Sequence, residues 1–146
     1  LLEEEYIVRP DGFTVPSAAS NIHGITTERA EREGVDLAHV LKRFNKQVEK
    51  ADTVVAHNIA FDQKIIGAEF LRSGIHTSFF DVPKLCTMEA STNRLRIPGP
   101  FGYKWPKLSE LHIALFGRDF EEAHDAMVDI DATVRCFWEM RKRGWV

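Results

Sequence analysis

The chain has 146 residues, 44% of them hydrophobic and 28% charged, enough for one domain with its own core and ordinary for a water-exposed globule. No run approaches the roughly 18 apolar residues of a membrane helix, and no basic start leads into an apolar signal region, so no membrane partner is expected. The net charge of -3 excludes a generally basic nucleic-acid coat, yet Val82 to Lys107 carries five cations against one anion, +4 against -7 for the remainder.

In chain order, "EEYIVRP" reads as a strand stopped by Pro10, and "DGFTVPSAAS" as turn chemistry around Asp11-Gly12 and Pro16. "DLAHVLKRFNKQVEKA" predicts a helix: Leu37, Val40, Leu41, Phe44 and Val48 keep helical spacing, and Asp36 is placed to cap it. "TVVA" is a β-branched run suited to a buried strand, and "FDQKIIGAEFLRSG" a second helix closed by Gly74. "TSFFDVPKLCTM" reads as a short strand running into a helix start. "STNRLRIPGPFGYKWPK" has three prolines and two glycines without a period, hence a loop or flap. "LSELHIALFG" predicts a short helix, and a last helix runs from about His124 to Arg143 with Met127, Ile130, Val134 and Phe137 inward. The alternation of strand and helix gives an α/β class. Cys86 and Cys136 have neither metal-type nor disulfide spacing and read as core thiols of a reducing, cytoplasmic setting.

Two polar clusters carry the chemistry. His57, Asn58 and Asp62 follow "TVVA" directly, and in open α/β sheets the crevice beyond the carboxyl ends of the strands binds ligands. The bland reading is that Asp62 only charges a helix start and Asn58 only satisfies a turn. In "EEAHDAMVDIDAT", Asp125 and Asp129 share a helix face, with His124 at the first turn. Carboxylates and an imidazole there, opposite a carboxylate on another element, are the ingredients of a magnesium site with a general base. An acidic first turn complementing the helix dipole is the alternative.

"HNIAFD" and "HDAMVDIDAT", with "NIHGIT" upstream, together resemble the DnaQ-like 3′-to-5′ exonucleases of the DEDDh group, which includes the proofreading epsilon subunit of bacterial DNA polymerase III. The resemblance runs from about Glu4 to Phe137. It implies a ribonuclease H-like fold, a central mixed β-sheet flanked by helices, in one exonuclease domain over residues 1–146. It implies release of nucleoside 5′-monophosphates from the 3′ end of single-stranded DNA, or RNA, with two Mg2+ (or Mn2+) ions and a DNA polymerase subunit as a conceivable partner. Carried onto this sequence, it makes Asp62 and Asp129 metal ligands and His124 the general base, preferring Asp129 over Asp125. It makes His23, Gly24 and Ile25 contacts of the terminal nucleotide; Asn58 and Phe61 beside Asp62, and Lys107 at the end of the basic loop, are further substrate-binding candidates.

The sequence departs from the family in one respect. The Asp-x-Glu motif of the family's opening strand does not occur before "EYIVRP", and Glu3, Glu4 and Glu5 do not replace it. The first strand and part of the second are therefore expected ahead of Leu1, which is not a methionine; the alternative is an inactive nucleic-acid-binding or polymerase-docking relative. A histidine-aspartate phosphohydrolase, suggested by His124-Asp125, is disfavoured because that class is all-helical. The loop interleaves Arg94, Arg96, Lys104 and Lys107 with Phe101, Tyr103 and Trp105, the mixture that grips unpaired strands, unless those rings merely anchor it in the core. The terminal cations Arg141, Lys142 and Arg143 fit the helix dipole without a ligand.

Overall fold

The computed structural model describes residues 2–120 and 126–146. Two polar helices, α1 (Ser17–His23) and α2 (Thr27–Glu33), come first. α1 begins within the segment where turn chemistry was expected up to Ser20. α1 follows Pro16, and α2 is capped by the Thr26 hydroxyl, which accepts from the Arg29 N–H. Neither shows apolar periodicity, and Ala30 alone is buried in the pair.

The expected strand at "EEYIVRP" is reduced to one parallel bridge, Val8 to Val35, held by Val35 N–H to Ile7 O and Arg9 N–H to Val35 O. The two segments approach across Gly34, where a methyl would meet Ala30 O at 2.1 Å and Arg9 N at 2.7 Å. The glycine is there for space, since its φ of -70° is ordinary.

Helix α3 (Leu37–Val48) has the expected stripe and the Asp36 cap, whose carboxylate accepts from His39 N–H at 3.1 Å. It leads to β1 (Val54–Ala56), α4 (Ile59–Arg72), β2 (Lys84–Cys86) and α5 (Thr87–Leu95). Among the described residues the sheet is two parallel strands, with Val54, Val55 and Ala56 beside Lys84, Leu85 and Cys86. Alternate residues of a parallel strand direct their main-chain groups to opposite sides. Val54 N–H bonds Pro83 O on the β2 side, so the main-chain groups of Val55 face the open edge.

A small antiparallel hairpin, β3 (Pro98–Gly99) and β4 (Gly102–Tyr103), precedes α6 (Leu108–Phe116) and α7 (Ala126–Lys142). Leu41, Val48, Phe70 and Phe79 form one core between α3 and α4. Leu111, Leu115, Cys136 and Met140 form another between α6 and α7, and Ile59, Cys86 and Met88 join the strands to the helix starts. Both cysteines are buried free thiols, and burial pushes the Cys136 thiol up to about 12.

Helix α7 corrects the expected inward stripe. Ala132, Cys136 and Met140 are the buried positions, while Ile130 is 54% and Trp138 56% exposed and Val134 lies open between them. The helix carries two apolar faces, and periodicity alone could not say which one α6 covers. No helix among the described residues is long and apolar enough to cross a membrane.

Candidate active site

One cleft of about 840 Å³ opens beside the free edge of β1. Its walls are Val55 of β1, Asp62 of α4, Lys107 before α6, and Asp129, Ile130 and Val134 of α7. The two carboxylates that the sequence sets 67 positions apart thus face a common space from two different helices. Asp62 sits in the first turn of α4, where the helix dipole favours its negative charge. Burial nevertheless holds its carboxyl above the usual aspartate value, partly opposed by a hydrogen bond from its own N–H. Asp129 lies in the first turn of α7.

Carboxylates on facing elements are hard oxygen donors of the kind that Mg2+ and Mn2+ take. Among the described residues, however, no group of three or more His, Cys, Asp or Glu side chains is gathered closely enough to hold an ion. The described residues therefore fit one part of such a site.

His57 has a different place from the one its cluster suggests. Its Nε2–H donates to the carbonyl of buried Pro106 at 3.0 Å, because a carbonyl can only accept, and this leaves Nδ1 to accept from Thr87 Oγ1 at 3.0 Å. Burial lowers the imidazole's proton affinity against the opposing pull of Pro106 O and Asp129, so the ring is held toward its neutral form. It pins the end of β1 to the start of α5 and to the segment leaving the hairpin.

Of the other expected contacts, Lys107 alone is among the residues that line this cleft. Lys107 lines it, while its main-chain N–H donates to Glu110 Oε2 at 2.8 Å. Asn58 caps α4 in the left-handed conformation with φ 67° and an exposed side chain, and Phe61 is exposed on the next turn; neither lines the cleft. His23, Gly24 and Ile25 form the turn from α1 to α2, with Gly24 at φ 70° and Ile25 N–H donating to His23 Nδ1 at 3.1 Å, and they also stand outside the lining. Lys104 is not a free cation of the loop, because Glu110 holds its ammonium at 2.5 Å. His124, expected as the general base, lies outside the described residues, as does Asp125.

Sequence reasoning missed the apolar half of the cleft. The signal was present: Ile130, Val134 and Trp138 recur every four residues, one face of a helix.

A family profile described as "RNase_T: Exonuclease" matches residues 3–137. No curated protein matches the sequence. Among solved structures, E. coli Exonuclease I in complex with a dA16 oligonucleotide is similar with a TM-score of 0.71 at 20% identity, over 93% of this chain and 32% of that one. The zinc ion bound form of the E. coli ExoI-ssDNA complex is similar with a TM-score of 0.64 at 21% identity, over 90% of this chain and 30% of that one. The chain thus spans about a third of the length of the proteins whose fold it shares.

Proposed function

Because the chain belongs to the RNase_T exonuclease family, one of DnaQ-like 3′-to-5′ exonucleases, we propose that its cleft hydrolyses the terminal phosphodiester bond at the 3′ end of single-stranded DNA. The fold is α/β of the ribonuclease H-like class, and the observation that carries the proposal is the shared cleft of Asp62 and Asp129.

In this reading Asp62 and Asp129 hold divalent cations, Mg2+ or Mn2+, and Lys107 lies along the phosphates. Divalent ions held there would supply charge stabilisation to the attacking and the leaving oxygen. His124 takes the proton of the attacking water, which requires its neutral form. Asn58 and Phe61 at the start of α4 and the turn of His23, Gly24 and Ile25 flank the terminal nucleotide. The released product is a nucleoside 5′-monophosphate.

The remaining acidic ligands, the family's Asp-x-Glu, belong on a strand paired along the open edge of β1. Support comes from β1 pairing with β2 alone among the described residues and from the exposed stripe of Ile130, Val134 and Trp138, which such a strand would cover. Buried free thiols fit a cytoplasmic setting.

A second reading, a non-catalytic binder of DNA ends or a polymerase-docking module, is favoured by one observation: the described residues bring together no third metal-binding side chain. Incubation of the full-length protein with 5′-labelled single-stranded DNA, with Mg2+ and with EDTA, separates the two. Stepwise shortening only with free metal, abolished by His124→Ala, supports the exonuclease; binding without shortening in any metal supports the binder.

A further inference from the structure

The segment from Arg94 to Lys107 holds side chains in states that nothing else in the fold explains. α5 ends on Arg96 in the left-handed conformation, φ 51°, and the chain turns into the β3–β4 hairpin, closed by Lys104 N–H to Ile97 O at 2.9 Å. Phe101 at its tip is fully exposed, Tyr103 is 51% exposed and Trp105 64%. The alternative that Phe101 and Trp105 anchor the loop in the core is thus not met. None of the three pairs with another ring or lies under a cation among the described residues. Phe101 stands in the turn itself, Tyr103 on β4 and Trp105 just beyond it, so all three rings lie within five residues of one another on one short segment.

The neighbouring cations are equally unspent. Arg94 and Arg96 are exposed and make only long bonds to carbonyls, 3.5 Å to Gly144 O and 3.4 Å to Asn93 O. Neither they nor Lys107 form an ion pair among the described residues.

The hairpin carrying these groups is held firmly. Lys104 is clamped by Glu110, the buried Pro106 carbonyl is bonded by His57, and at Gly99 a methyl would crowd Lys104 Cβ at 3.0 Å and its N at 3.1 Å. Unpaired rings and unneutralised cations on a fixed support, joined through Lys107 to the wall of the cleft, match the needs of unpaired nucleic acid: aromatic faces for bases and positive charge for phosphates.

We propose that the 98–105 hairpin is a base-stacking platform for the single strand upstream of the nucleotide in the cleft, with Phe101, Tyr103 and Trp105 as stacking surfaces and Arg94 and Arg96 on the phosphates. This rests on the reading of the cleft as the seat of the 3′ end. It extends that reading by giving the enzyme a grip on nucleotides it is not yet cutting.

The test is binding of a fluorescent oligothymidylate of about fifteen nucleotides, long enough to reach from cleft to hairpin, to the full-length protein in EDTA. Phe101→Ala and Trp105→Ala are each expected to weaken binding about 5- to 100-fold, the scale of losing one stacked base, while Phe101→Tyr and Trp105→Phe restore it. Arg94→Ala with Arg96→Ala is expected to lower the slope of log affinity against log salt by about 1.4, since each phosphate contact on a single strand contributes about 0.7. Unchanged affinity in both alanine variants, with melting temperatures equal to wild type, overturns the platform even if the protein shortens DNA in Mg2+. Recovery by Phe101→Leu as complete as by Phe101→Tyr also overturns it, because an aliphatic side chain cannot stack on a base as a ring does. Loss of binding in the variants of a protein that never shortens DNA upholds the platform and refutes the catalytic reading instead.

Discussion

Replacing His57 by alanine tests the claim that this histidine is a structural pin. The change removes two hydrogen bonds, to Pro106 O and from Thr87 Oγ1, both 3.0 Å long. Both partners are buried, so each is left with the desolvation penalty of an unpaired polar group, about 1–3 kcal/mol. Thr87 keeps a weak alternative, Ala56 O at 3.4 Å, which puts its share at the low end. A loss of about 3–4 kcal/mol follows, and at about 2–4 °C per kcal/mol the melting temperature falls by roughly 10 °C. The pH dependence has a definite sign. The folded-state pKa is depressed below the ordinary histidine value of 6.5, so between the two values the unfolded chain binds more protons than the folded one. The stability contributed by neutral His57 is complete above pH 6.5 and declines as the pH falls below it. Urea unfolding of wild type and His57→Ala from pH 8 to pH 5 should show the wild-type advantage shrinking on the acid side. An advantage that is constant or grows toward pH 5 refutes the neutral, doubly bonded ring.

Asp62→Asn should separate stability from function: in EDTA at pH 7 it melts at or above the wild-type temperature, because burial already disfavours the charged carboxylate. In Mg2+ its nuclease rate drops about 10²-fold or more, the scale of losing one charge-stabilising group; a variant that melts lower and cuts normally contradicts both halves. Gly34→Ala should cost about 1–3 kcal/mol in urea unfolding, since the added methyl meets main-chain atoms of Ala30 and Arg9 that cannot swing away. Cys136, fully buried and with its thiol pushed up to about 12, should react with iodoacetamide at pH 8 only at the rate of global unfolding. Rapid labelling of the native protein would show the α6–α7 core to be open.

Elements with a single strong apolar stripe were legible in the sequence. Leu37, Leu41, Phe44 and Val48 mark α3 correctly, cap included, because one face meets one core. α1 and α2 were not, since seven-residue polar helices such as "SAASNIH" and "TERAERE" bury almost nothing and so carry no apolar pattern to read. The opening strand dissolved into one bridge because a strand exists only with a neighbour to pair, and Val8 has Val35 alone. In the site, the placement of Asp62 and Asp129 around one cleft follows from the two motifs. The use of His57 does not, because its partners Thr87 and Pro106 are 30 and 49 residues away in sequence.

The cleft joins two requirements that conflict in a closed fold. Carboxylates close to apolar walls such as Val55, Ile130 and Val134 are poorly solvated, which is why Asp62 resists ionising. The same poor solvation strengthens the attraction of any cation that enters between Asp62 and Asp129, because charges interact more strongly where water is excluded. Covering the stripe on α7 with a paired strand would exclude more water and sharpen both effects. On the proposed reading, the exposed apolar face beside β1 and the partly buried acid of α4 would be two consequences of one arrangement, because a strand along the sheet edge and cations between the carboxylates would stabilise each other.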